Sequence, residues 1–78
     1  MTRLTQLAVN EEGFVFDPAT GESYTVNTTG LAILKGLKED KSAKDISAAL
    51  TEKFEVTADE AESDVLAFME YLKCMAIL

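Results

Sequence analysis

The segment Asp17-Pro18-Ala19-Thr20-Gly21 constrains the fold of this chain more than any other, because it closes two short runs that suit a pleated surface into one hairpin. Pro18 presets the φ of the second position of a type I turn, and Gly21 supplies the left-handed residue that returns the chain. Phe14 to Phe16 on one side and Ser23 to Val26 on the other are rich in aromatic and β-branched residues, which favour strands. Simple closure of the turn places Val15 opposite Tyr24, whereas a one-residue bulge would reverse the facing, so the pattern leaves the inward face of Phe14 and Phe16 open. Upstream, Thr5 to Val9 reads as weakly extended and Asn10-Glu11-Glu12-Gly13 as a polar turn.

Three helices are predicted to follow, each with a local cause for its start. Asn27 caps the first, which carries Leu31, Leu34 and Leu37 on one face with Ile33 beside them and ends near Lys38. Ser42-Ala43-Lys44-Asp45 resembles a capping box for the second, whose stripe is Ile46, Ala49, Leu50 and Phe54. Thr57-Ala58-Asp59-Glu60 is the better box, with acids in the first turn where the helix dipole favours them. The third helix buries Ala61, Val65, Phe68 and Leu72. Leu66 and Met69 widen that stripe on one side and Ala67 and Tyr71 lie on the other, which is more apolar surface than one contact needs and leaves some to face a partner. The ending Met75-Ala76-Ile77-Leu78 is expected to pack back onto the core.

Charge then narrows the partners. Fourteen acidic against seven basic side chains give a net charge of −7, which repels polyanions at long range, so neither nucleic acid nor an anionic membrane is expected to bind. Seventy-eight residues with 47% hydrophobic side chains suffice for one small domain, spanning 1–78. No segment approaches the roughly 20 apolar residues that span a bilayer, and no positive stretch followed by an apolar run opens the chain. The single Cys74 allows no internal disulfide, which makes a reducing cytoplasm the expected compartment. Cys74 itself reads as a small apolar residue at the rim of the core.

Catalytic chemistry finds little to work with. Without His and with one Cys, the usual nucleophile–base pairs and transition-metal ligand sets are missing. Glu11-Glu12, Glu39-Asp40 and Asp59-Glu60 sit in turns or caps, where solvation accounts for them, and Gly13, Gly21, Gly30 and Gly36 are too scattered to cradle a phosphate. No enzyme, no cofactor and no metal is therefore expected. Acidity and helices suggest an acyl carrier protein, but Ser63 lies inside the third helix between Glu62 and Asp64, away from a helix start. A winged-helix DNA binder matches in outline, yet Lys44 and Lys53 on the second helix are offset by Asp45 and Glu52.

Three stretches carry a family likeness: Tyr24-Thr25-Val26-Asn27-Thr28-Thr29-Gly30-Leu31-Ala32-Ile33-Leu34, then Ser42 through Phe54, then Asp64-Val65-Leu66-Ala67-Phe68-Met69-Glu70-Tyr71-Leu72. From Phe14 onward the chain resembles the family of the pyrroloquinoline quinone biosynthesis protein D, small peptide chaperones that serve as recognition elements for ribosomally made, modified peptides. The resemblance implies an α+β fold, an N-terminal three-stranded antiparallel sheet followed by a three-helix bundle, related to the winged helix. It implies that the leader of a precursor peptide adds as a strand to the sheet edge, beside the third helix. Ser23, Tyr24, Thr25 and Val26 would then form the edge, and Asp64, Val65, Phe68, Met69 and Leu72 the wall of the groove. Plain core packing is an alternative for Val65, Phe68 and Leu72, and a solvated charge for Asp64.

The implied partners are a precursor (leader) peptide and a modifying enzyme, for instance a radical S-adenosylmethionine enzyme, with the chain itself a monomer. The net charge favours leaders with Lys or Arg in their flanks. An acidic protein-interaction module without leader binding is the alternative. The chain departs from the family pattern in three places: Glu39-Asp40-Lys41 replaces an Asp-Gly pair after the first helix, Cys74-Met75-Ala76 replaces a Gly near the end, and the hairpin loop differs from the short Pro-containing turn of the quinone-pathway member. These departures point to another peptide-modification system rather than to quinone synthesis.

Overall fold

Leu4 and Leu7 lie three residues apart and both are buried, at 5% and 2% exposure, which a single turn of 3-10 helix over Arg3–Gln6 achieves. That turn, closed by the Leu7 N–H donating to the Leu4 carbonyl at 3.3 Å, replaces the extended conformation expected at Thr5 and Gln6. In the computed structural model, which describes residues 3–75 and residue 77, three strands follow: β1 (Ala8–Val9), β2 (Phe14–Asp17) and β3 (Glu22–Thr25). They form one antiparallel sheet in the order β1-β2-β3. Helices α1 (Thr28–Lys38), α2 (Ala43–Lys53) and α3 (Ala58–Cys74) complete the α+β fold expected from the sequence.

The hairpin closes without a bulge. Val15 faces Tyr24, flanked by the pairs Phe14–Thr25, Phe16–Ser23 and Asp17–Glu22. Inside the turn, the Asp17 carbonyl accepts from the Gly21 N–H at 2.8 Å and its carboxylate accepts from the Ala19 N–H at 3.0 Å. Gly21 adopts φ +77°, a value that costs a residue without Cβ nothing. This register decides the facing left open by the sequence: Val15 points inward at 3% exposure, while Phe14 and Phe16 point outward at 52% and 45%. At the other end of β2, Gly13 has φ +92°, and a Cβ there would stand 2.4 Å from the Val26 carbonyl oxygen. Only glycine fits that close approach.

All three expected caps form. The Asn27, Ser42 and Thr57 side chains accept from the N–H groups of Gly30, Asp45 and Glu60. Helix α1 ends at Lys38 as expected, and Asp40, standing in the place of the usual glycine, takes the left-handed conformation at φ 65°. Its N–H donates to the Leu37 carbonyl and that of Lys41 to the Gly36 carbonyl, both at 3.0 Å. Asp tolerates this conformation because its short polar side chain can bond locally.

Two apolar clusters hold the elements together. Leu4, Leu7, Val15, Leu34, Leu72 and Ile77 join the inner face of the sheet to α1 and the end of α3. Ile33, Ile46, Leu50, Ala61 and Val65 form the interior of the helical half. Phe68 and Leu37 pack against both. The second-helix stripe is therefore Ile46, Leu50 and Phe54, with Ala49 exposed. Met75 and Ile77 do fold back, the Ile77 N–H donating to the Leu72 carbonyl at 2.9 Å, while Ala76 and Leu78 of the expected apolar ending lie outside the described residues. Cys74 is exposed rather than at the core rim, since it sits half a helical turn away from the buried side of α3. Among the described residues no helix is long and apolar enough to cross a membrane.

Candidate functional site

The backbone of β3 is where local geometry leaves something unfinished. In an antiparallel ladder, pairs that exchange hydrogen bonds alternate with pairs that do not. The Val26 N–H donates to the Gly13 carbonyl at 2.9 Å, and the pairing register then makes Val15–Tyr24 and Asp17–Glu22 bonded pairs, Phe14–Thr25 and Phe16–Ser23 non-bonded ones. The opposite side of β2 has the complementary phase, its Phe14 carbonyl accepting from the Asn10 N–H at 3.0 Å. It follows that the N–H and C=O of Ser23 and Thr25 point away from β2. β3 is the last strand of the sheet, so these four groups line an edge that no described strand pairs with.

Beside this edge runs a furrow against α3. A narrow cleft of about 30 Å³ lies between Tyr24, Thr25 and Val26 of the strand side and Phe68 and Tyr71 of the helix side, and its floor is the sheet-side core, with Leu7, Val15, Leu34, Leu72 and Ile77. A separate, wider recess of about 360 Å³ lies between the start of α1, with Asn27, Thr29 and Gly30, and the face of α3 that bears Asp64, Ala67, Phe68 and Tyr71. Phe68 and Tyr71 line both, their rings tilted at 48° with centroids 6.3 Å apart. The Phe68 ring can lie this close to α1 because residue 30 has no side chain: a Cβ on Gly30 would stand 3.2 Å from the ring edge and 3.2 Å from the Asn27 cap oxygen. The Tyr24 hydroxyl donates to the Glu22 carboxylate at 3.4 Å. Desolvation and then the Glu22 charge raise its pKa above the ordinary tyrosine value.

The candidate residues divide into two groups in space. Ser23 and Thr25 are exposed along the edge, Tyr24 and Val26 are half-buried beneath it, Phe68 stands across the cleft, and Leu72, 4% exposed, packs in the sheet-side core at its floor. Asp64 is exposed in the wider recess. Val65 is fully buried in the helical core and Met69 packs against that same cluster, so neither lines the furrow. Tyr71 and Ala67 take their place. Positions 64, 67, 68 and 71 share one face of a helix, and Ala67 and Tyr71 form one of the two apolar flanks seen in the sequence, but periodicity alone does not say which flank meets β3. A larger recess, about 610 Å³, lies between α2 and α3 around Ala48, Thr51 and Leu66 and includes none of the candidate residues.

The family model described as coenzyme PQQ synthesis protein D (PqqD) matches residues 12–73. Among curated proteins no match is found. Among solved structures, a lasso peptide synthetase B1 complexed with the leader peptide is similar, with 29% identity, a TM-score of 0.77, and coverage of 91% of this chain and 85% of that one. TbiB1 in complex with the TbiA(beta) leader peptide shares the fold, with 22% identity, a TM-score of 0.80, and coverage of 92% and 85%.

Proposed function

The chain belongs to the coenzyme PQQ synthesis protein D (PqqD) family, and from that premise we propose that it binds the leader segment of a ribosomally made precursor peptide as a strand added to β3. The observation that carries this reading is the pair of outward-facing residues Ser23 and Thr25 lying along a cleft walled by Phe68 and Tyr71. An incoming strand satisfies the four free backbone groups, and its alternate side chains meet the cleft. Backbone bonds supply sequence-tolerant affinity, and the aromatic wall selects apolar side chains at every second position. The two similar structures are described with a leader peptide bound, which supports the same assignment.

In this reading the chain acts by binding and presentation, and no bond is made or broken by its own side chains. The bound precursor is handed to a modifying enzyme, for which a radical S-adenosylmethionine enzyme is one candidate class, in a reducing compartment such as the cytoplasm. The test is a titration of the isotopically labelled protein with synthetic leaders taken from the short open reading frames beside its gene, followed by amide chemical shifts. Shifts concentrated in residues 23–26 and on the Asp64, Ala67, Phe68 and Tyr71 face of α3 are expected. Absence of shifts at millimolar peptide, or shifts confined to the α2–α3 recess, would remove the proposal.

A further inference from the structure

The outer face of the sheet raises a separate question. Phe14 and Phe16 are 52% and 45% exposed, side by side on the central strand, and they are flanked by Ala8 on β1 and by the small residues Ser23 and Thr25 on β3. The shallow recess around them, about 240 Å³, includes Ala8, Phe14, Phe16 and Ser23. Neither ring contributes to either core cluster. Two aromatic rings of this kind bury 150–250 Å² each when covered, so their open halves amount to roughly 200 Å² of apolar surface. A stable interface needs about 800 Å² from each partner, which makes the patch too small to hold a second copy of the chain unaided.

The register tells how the patch grows. A strand added to β3 places the side chains opposite Ser23 and Thr25 on the same face as those two residues, in the rows that already contain Phe16 and Phe14. A bound leader therefore extends this outer face by one more strand. Charge adds one handle beside it. Residues 8–27 hold no Lys or Arg, and of their four acids Asp17 is buried, Glu22 pairs with it in the inward-facing row and Glu11 is bound to Lys35, while Glu12 is exposed in the turn that leads into β2. We infer that the outer face of the sheet, completed by the outward side chains of the bound leader, is the docking surface for the modifying enzyme. That enzyme would contact it through an apolar protrusion with a Lys or Arg placed to meet Glu12. The inference rests on the proposed leader binding and adds to it a reason for the enzyme to prefer the loaded chaperone.

The test measures two affinities on the full chain, using the leader and the modifying enzyme encoded beside its gene. The Phe14→Ser, Phe16→Ser double variant should bind the leader within twofold of the parent, because both residues lie on the central strand away from the open edge, and should bind the enzyme at least tenfold more weakly. Glu12→Lys, in an exposed turn, gives a second variant that leaves the fold untouched and should weaken enzyme binding several-fold at low salt, the loss shrinking as salt rises. Enzyme binding that is unchanged in both variants overturns the inference while leaving leader binding intact. Failure of the parent to bind the leader removes the premise as well. Self-association of the parent at micromolar concentration, abolished by the double variant, would assign the face to a second copy and also overturn it.

Discussion

Replacing Thr25 with proline tests strand addition at a single atom. In the register observed, the Thr25 N–H points away from β2, so proline removes no hydrogen bond of the sheet itself. Proline is accepted on edge strands for this reason, and the restriction it places on the preceding residue is already met by the extended Tyr24. The unfolding free energy should change by less than about 1 kcal/mol. A leader paired with Ser23 and Thr25, by contrast, loses one backbone bond and leaves its own acceptor stranded, a cost of about 1–3 kcal/mol where water cannot reach it. That corresponds to a fall in affinity of roughly 5- to 150-fold. Tyr24→Pro is the control: its N–H belongs to a bonded pair with Val15, and its loss should destabilise the fold by roughly 3 kcal/mol. Urea unfolding followed by circular dichroism gives the first quantity, and anisotropy of a labelled leader gives the second. If Thr25→Pro unfolds the protein as Tyr24→Pro does, the phase of the ladder is wrong. If it binds leader as the parent does, the peptide does not pair with this edge.

Three further expectations follow from other positions. Tyr71 is 55% exposed, so Tyr71→Ala should cost less than about 1 kcal/mol of stability; a leader covering roughly 50 Å² of the ring at about 25 cal/mol per Å² loses about 1.3 kcal/mol, close to tenfold in affinity by titration calorimetry. Asp40 holds a left-handed φ of 65°, and Asp40→Gly should raise stability by about 0.5–1 kcal/mol, read as a higher urea midpoint, because the relief of backbone crowding exceeds the added entropy of the unfolded chain. Glu11 accepts a hydrogen bond from Lys35 at 2.6 Å, and that bond and the lysine charge hold its carboxyl below the ordinary carboxylate value. A lowered folded-state value means the pair stabilises the fold above the unfolded carboxyl's range and ceases to do so as pH falls through the lowered value. The difference in melting temperature between the parent and Glu11→Gln should accordingly be present at neutral pH, vanish in strong acid, and shrink in high salt.

Features with local causes could be read from the sequence. Asn27, Ser42 and Thr57 cap their helices because a side-chain oxygen two or three residues before a bare N–H needs no distant partner, and Gly21 closes its turn on the same terms. The facing of the hairpin could not be read so. Phe14 and Phe16 look like core residues by hydrophobicity, yet the smaller Val15 is the one buried, because the unbulged turn places it opposite Tyr24 and above Leu34 and Leu72. Thr5 and Gln6 depart from the extended pattern for a similar reason: their conformation is set by what Leu4 and Leu7 reach in the core. In the candidate site the edge strand was legible from the hairpin, but the side of α3 that faces it was not. Periodicity gave Val65, Phe68 and Leu72 one stripe; only packing against α1 and α2 turns Val65 and Met69 away and brings Tyr71 round to the cleft.

A three-stranded sheet has two edges, and the choice between them follows from how each is guarded. Exposed edges invite pairing with any passing strand, and short length, charge or a covering element is the usual defence. β1 is only two residues long, preceded by a 3-10 turn, and the carbonyl of Leu7 at its start already accepts from the Lys38 ammonium at 2.6 Å. It offers a second strand too little ladder to hold. β3 is four residues long and carries neither Lys nor Pro. Its outward positions are Ser23 and Thr25, small and uncharged, and so place no charge or bulk in the way of a partner. What limits promiscuous pairing is the cleft beneath, since a strand that cannot put apolar side chains against Phe68 and Tyr71 every second residue gains only a few solvent-exposed bonds, each worth about 0.5–1.5 kcal/mol. Affinity from the edge and selection by the cleft are thus separable. Thr25→Pro should weaken every leader by a similar factor, whereas Tyr71→Ala should weaken only those with an apolar residue at the position that meets the ring, which a small panel of alanine-substituted leaders would reveal. Equal losses across that panel for both variants would mean that the cleft selects nothing, and that specificity lies elsewhere.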